Sequence, residues 1–141
     1  MSRSKPLPEP TGSSVWLTLR VRYAETDQMQ RVYYGRYLEW FEAARGEFCR
    51  QRGVHYGEME RERGLFLPVL EAHCRYIAPA RYDDEVRIEV FVFERRSRTM
   101  RMGYRVYVKD KLIAEGDTAH ILVNAEGRAC TWPPDLAACF L

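Results

Sequence analysis

Along residues 15–23, Val15, Leu17, Leu19, Val21 and Tyr23 alternate with Trp16, Thr18, Arg20 and Arg22. A two-residue period sends the two sets to opposite faces, so this segment reads as a strand with one buried face. After a loop from 24 to about 33 the period changes. Tyr34, Tyr37, Leu38, Phe41, Ala44, Phe48 and Cys49 recur at helical spacing, while Arg36, Glu39, Glu42, Arg45 and Arg50 fall mostly on other faces. The pattern predicts one long helix over about 34–52, with Gly53 placed to end it in a left-handed conformation. A short helix is also expected around 58–63.

Strand patterns then take over. Leu70, Ala72, Cys74 and Tyr76 alternate with Glu71, His73 and Arg75; Val86, Ile88, Val90 and Val92 with Arg87, Glu89, Phe91 and Phe93; and Met100, Met102, Tyr104, Val106 and Val108 with Arg101, Gly103, Arg105 and Tyr107. A last run over 112–123 ends at Asn124-Ala125-Glu126-Gly127, a turn composition. The breaks at Arg95-Arg96-Ser97 and Lys109-Asp110-Lys111 are short enough for antiparallel hairpins. One long helix among about five antiparallel strands is an α+β arrangement, with the strands long enough to curl around the helix. Such a sheet leaves edges open, and Phe91, Phe93 and Tyr107 fall on its outer face. A homo-oligomer is therefore expected, a homodimer at minimum, with a homotetramer as the fuller reading.

Composition narrows the class. The 141 residues suit one domain, and the polar, Ser- and Pro-rich stretch 1–14 reads as a flexible leader ahead of a folded domain over 15–141. No apolar run approaches a bilayer span. The 22 basic and 20 acidic residues are interspersed, which argues against a nucleic-acid partner. The exception is Arg95-Arg96-Ser97-Arg98, a solvated turn in its plain reading, in which Arg96 and Arg98 are candidates for holding phosphates. Cys49, Cys74, Cys130 and Cys139 form no CxxC pair, so a reducing cytoplasm is the simplest home.

Chemistry is reached by exclusion. His55, His73 and His120 are scattered, without metal-ligand spacing, so neither a metal nor a cofactor is expected. There is no GxSxG, GxGxxG or P-loop, and every serine except Ser97 lies within the first 14 residues. What remains is Asp27, a carboxylate just ahead of the long helix. By spacing alone, such an aspartate is more often a helix cap or loop residue than a catalyst.

Thr26-Asp27, Val32-Tyr33-Tyr34, Tyr37, Trp40-Phe41-Glu42 and Ala44-Arg45 together resemble the signature of the 4-hydroxybenzoyl-CoA thioesterase family of hotdog proteins. Tyr76-Ile77-Ala78-Pro79-Ala80-Arg81-Tyr82-Asp83-Asp84 and Ala114-Glu115-Gly116 resemble two further family segments, so the likeness runs from about 15 to 124. The resemblance implies a hotdog fold, a curved antiparallel sheet wrapped around one central helix, and hydrolysis of a short-chain or aromatic acyl-CoA. Acyl carrier protein is the alternative carrier. It implies that Asp27 attacks the thioester carbonyl or activates a water, and that the backbone N–H of Tyr34 receives the oxyanion. Unsatisfied N–H groups and the helix dipole suit that role. Tyr33 and Tyr37 are candidates for lining the acyl pocket, against the plainer reading of aromatic core. Many relatives carry glycine where Gln30 stands, so Gln30 with Arg31 leaves the pocket's shape and the acyl group open. A non-catalytic acyl-CoA-binding or interaction module on the same scaffold is the competing function.

Overall fold

The structure is a computed structural model describing residues 6–141. Its elements run β1 (Val15–Arg20), a 3-10 turn (Tyr23–Glu25), α1 (Arg36–Gln51), α2 (Tyr56–Arg63), β2 (Val69–Tyr76), β3 (Glu85–Arg95), β4 (Thr99–Val108), β5 (Lys111–Ile121) and α3 (Pro134–Cys139). The five strands form one antiparallel sheet in the order β1-β3-β4-β5-β2. This is the α+β arrangement that the alternation predicts. The order follows from the connections: short breaks make β3, β4 and β5 a meander, while the helical segment between β1 and β2 carries those two to opposite edges.

Helix α1 begins two residues later than its apolar period suggests. Its stop is as expected, with Gly53 at φ 79° and its N–H on the Arg50 carbonyl. The buried stripe Tyr37, Trp40, Phe41, Ala44, Phe48 and Cys49 lies against the concave face of the sheet, among Val86, Ile88, Val90, Met102, Tyr104 and Ile113. Phe41 stacks on Tyr104 with ring centroids 4.3 Å apart and an interplanar angle of 9°. Gly116 makes this approach possible, since a Cβ there would lie 2.6 Å from the Phe41 ring. The glycine of Ala114-Glu115-Gly116 is thus the seat of the central helix on β5.

Three features differ from the pattern-based expectations. Phe91 is not on an open outer face. It is fully buried, its ring lying over the space that Gly103 leaves free and beneath the Arg105 guanidinium at 4.9 Å. The end of the expected leader is held: the Thr11 N–H donates to Val92 O at 2.8 Å, and Arg52 donates to the Ser13 carbonyl at 2.7 Å. Residues 1–5 lie outside the described residues. The short helix α3 has no sequence counterpart, because six residues opened by a proline carry no readable period. It brings Phe140 under Trp132 and Phe48, closing the C-terminal end of α1.

The edge strand β2 buries none of its eight residues. Val69, Leu70, Tyr76 and Ile77, at the two ends of this strand, are 43–57% exposed.

Candidate active site

Between the 3-10 turn and α1 the chain makes a tight loop. Thr26 and Val32 form an isolated antiparallel bridge, the Asp27 N–H donates to Arg31 O at 2.9 Å, and the Gln30 N–H returns to Asp27 O at 3.0 Å. The turn requires a left-handed residue, and Gln30 supplies it at φ 62°. A glycine takes that conformation freely, while a side chain costs on the order of 1 kcal/mol. Val32, buried, pins the loop to the core and donates its N–H to Ala80 O at 2.8 Å.

Asp27 is not a helix cap. The residue at the N-cap position of α1 is Gly35, and no side chain caps that end. Asp27 Oδ1 instead accepts the Met29 N–H at 2.8 Å, which fixes the carboxylate's direction, while Oδ2 has no hydrogen bond among the described residues. The first turn of α1 is tightened by Arg36 N–H to Tyr33 O (3.0 Å) and Tyr37 N–H to Tyr34 O (3.3 Å). The N–H groups of Tyr34 and Gly35 find no protein acceptor among the described residues. Two orphan donors at the positive end of a 16-residue helix form a ready seat for negative charge.

Two side chains hold this geometry that the sequence pattern does not single out. Glu25 is buried; its carboxylate accepts the Arg22 N–H and Trp40 Nε1–H, both at 2.8 Å, and its carbonyl accepts the Tyr33 N–H at 2.9 Å. Glu25 therefore ties the start of the Asp27 loop to both ends of its surroundings. Tyr76, at the end of β2, donates its hydroxyl to Tyr34 O at 2.8 Å and meets the Tyr37 ring edge-on at 5.0 Å. The Tyr34 peptide is thus held from its carbonyl side. Burial and the neighbouring Cys74 raise the Tyr76 phenol well above its ordinary range, so it is a hydrogen-bond donor at any physiological pH. Only the adjacency of Glu25 to Thr26-Asp27 and the place of Tyr76 at the head of the second family segment could have drawn attention to them.

Asp27 and Tyr34 border one cavity of about 310 Å³ together with Met29, Arg31, Val32, Tyr37, Tyr76 and Ile77–Pro79. That is near the lower end for small-molecule sites, ~300–1,000 Å³. Of the expected pocket residues, Tyr37 does contribute to this wall, although it is itself 97% buried and mainly core. Tyr33 is half exposed and its ring lies tilted against Tyr34 with centroids 4.5 Å apart, outside the lining. Arg96 and Arg98 stand exposed in the β3–β4 turn, beyond the far end of β3. The 11 residues of β3 put them on the order of 30 Å from the Ala80 end where the Asp27 loop docks. One chain alone does not bring these arginines to the cavity. Among the described residues, no group of three His, Cys, Asp or Glu side chains is placed to hold a metal ion, and no helix is long and apolar enough to cross a membrane.

Comparison with known proteins places this geometry in a family. Residues 21–140 match the model of the thioesterase-like superfamily. A provisionally named esterase of Aquifex aeolicus (strain VF5) is 34% identical over 117 residues, covering 83% of this chain and 90% of its own. The acyl-CoA thioester hydrolase YbgC of Escherichia coli O6:H1 is 28% identical over 107 residues, 75% of this chain and 79% of its own. Among solved structures, a 4-hydroxybenzoyl CoA thioesterase in complex with 4-hydroxybenzoyl CoA shares the fold at TM-score 0.84 and 21% identity, covering 91% of this chain and 99% of that one. The match covers the strand–loop–helix unit that carries Asp27 and the whole sheet behind it, and the chain belongs to the thioesterase-like superfamily, with the hotdog architecture of its thioesterases.

Proposed function

We propose that this chain hydrolyses acyl-CoA thioesters, with Asp27 as the reacting carboxylate and the Tyr34 N–H as the oxyanion donor. The observation that carries the reading is the shared cavity: Asp27, with one carboxylate oxygen free, and Tyr34, whose N–H has no protein acceptor among the described residues, border the same space. A thioester carbonyl seated there meets both groups. Asp27 either takes a proton from a water that attacks the carbonyl carbon, or adds to that carbon itself to form an acyl–Asp27 anhydride that a water then hydrolyses. In both routes the C–S bond breaks, the thiolate leaves and is protonated to coenzyme A, and the carboxylic acid is released with Asp27 restored. Charge developing on the carbonyl oxygen falls to the N–H, a contribution of ~2.7–4 kcal/mol for one such donor. The likeness to the acyl-CoA thioester hydrolase of Escherichia coli supports coenzyme A as the carrier, with acyl carrier protein as the alternative. The free state of all four cysteines fits a reducing cytoplasm.

The working unit is a dimer in this reading. β2 is an edge strand with every residue at least partly open, which is an unstable way to leave eight residues of sheet. Antiparallel pairing of β2 with β2 of a second copy about His73 sets Val69–Leu70 of one chain beside Tyr76–Ile77 of the other. Leu70 shares a cavity with Arg96, and Ile77 shares one with Asp27. The same pairing thus carries the basic turn of one chain toward the carboxylate of the other, where the phosphates of coenzyme A would need it. A homotetramer would add a second interface to this dimer.

Thiol release from a panel of acyl-CoA esters tests the activity. Turnover on at least one ester supports it; tight binding of acyl-CoA with no thiol release would favour the non-catalytic module instead. Sedimentation at micromolar concentration tests the assembly, and an active monomer would overturn it.

A further inference from the structure

Among the described residues Arg31 is the one cation in the wall of the Asp27 cavity, and it makes no ion pair there. Its Nε–H is buried and unbonded among the described residues, and no carboxylate lies within the 4.0 Å of an ion pair. Several other arginines pair with carboxylates: Arg75 with Glu115, Arg101 with Glu71 and Asp117, Arg105 with Glu89. Arg95 shares with Arg31 a buried Nε–H unbonded among the described residues but lies outside the cavity. A guanidinium in a cavity wall with no carboxylate beside it among the described residues is available to an anion that enters the cavity. The other walls, Val32, Tyr37, Ile77, Ala78 and Pro79, offer an acyl chain only apolar contact.

We propose that Arg31 makes this cavity selective for acyl groups ending in a carboxylate, the half-thioesters of dicarboxylic acids. This rests on the thioesterase reading of the same site. Arg31 O accepts the Asp27 N–H, so the reacting carboxylate and the base of the Arg31 side chain are fixed across one turn. A carbonyl carbon at Asp27 and a terminal carboxylate at the guanidinium then lie a few methylenes apart. The guanidinium fork binds a carboxylate through two parallel N–H···O bonds, a match no neutral chain end provides. The walls between the two charges suit the intervening methylenes.

The test compares succinyl-, glutaryl- and adipyl-CoA with butyryl-, valeryl- and hexanoyl-CoA, in wild type, Arg31→Met and Arg31→Lys. The expected result is a kcat/KM at least tenfold higher for the carboxylated member of one or more length-matched pairs in wild type. Arg31→Met should erase that ratio and Arg31→Lys should keep part of it. No preference in wild type overturns the proposal, and this arm does not depend on any variant folding. An equal loss on both series in Arg31→Met also overturns it, because the residue would then act on the oxyanion or on the loop. Hydrolysis of the uncharged series alone leaves the thioesterase reading standing and removes this one. No hydrolysis of any of the six esters removes this proposal and leaves the thioesterase reading to the wider acyl-CoA panel.

Discussion

The two ends of the sheet are built in opposite ways. At the Ala80 end, the Asp27 loop is fixed by backbone bonds, one carboxylate oxygen is committed to Met29, and Glu25 and Tyr76 hold the helix start from either side. At the other end, Arg96 and Arg98 are exposed, and the one ion pair of Arg96, to Glu94 at 3.4 Å, is itself at the surface. Fixed polar atoms in a cavity can act on a transition state, because they need no reorganisation when charge develops. Exposed, mobile cations add uniform attraction, which is worth little each and is screened by salt. On the proposed function, the difference puts chemistry at the first end and affinity at the second.

The sharpest way to break this comparison is Asp27→Asn. The amide keeps the size and the Oδ1 bond to Met29 but is neither nucleophile nor base, so kcat should fall at least ~100-fold with fold and assembly unchanged. Near-wild-type turnover by this variant would take the chemistry away from this end.

Between the two ends lies a buried polar row on the concave face. Arg45 Nη1–H donates to the Tyr104 hydroxyl at 3.2 Å, Tyr104 and Thr118 share a hydrogen bond of 2.6 Å, and Thr118 meets His120 Nε2 at 2.8 Å. Arg45 therefore turns inward to the sheet rather than pairing with Glu42. Burial and the Arg45 charge depress His120 to about 4. The unfolded chain, with an ordinary histidine near ~6.5, binds the proton first. Stability from this group is thus present above pH ~6.5 and is lost as pH falls toward about 4. Chemical denaturation across that window should show the decline, and His120→Gln should flatten it.

Tyr76→Phe removes only the hydroxyl that holds Tyr34 O. A net hydrogen bond of ~0.5–1.5 kcal/mol predicts a ~2- to 10-fold fall in kcat. An unchanged kcat would mean the helix start holds its place without β2. The smallest effect is expected at the other end. Arg96→Ala with Arg98→Ala should raise KM for acyl-CoA ~2- to 5-fold at unchanged kcat, less at high salt, and should leave a truncated thioester lacking the nucleotide unaffected. A fall in kcat there would erase the division between the two ends.

The sequence by itself determined the local periods and therefore the elements. Alternation marked the strands, helical spacing marked α1, Gly53 marked its end, and the motif around Thr26-Asp27 marked the carboxylate, since each depends on residues close along the chain. Tertiary structure decided what those elements face. Phe91 and Leu70 both sit in alternating strand patterns, yet Phe91 is buried and Leu70 is 57% exposed, because one strand is central and the other has no neighbour on one side. Glu25 and Tyr76 gained their roles from Trp40 and Tyr34, partners 15 and 42 positions away. Arg31 is marked in sequence, with Gln30, only as bearing on the pocket's shape; the folded loop sets it in the cavity wall with no ion pair among the described residues. Periods are local and survive in a one-dimensional string. The partner of a polar group is fixed by which distant segments the core brings together, and that information exists only once the chain has folded.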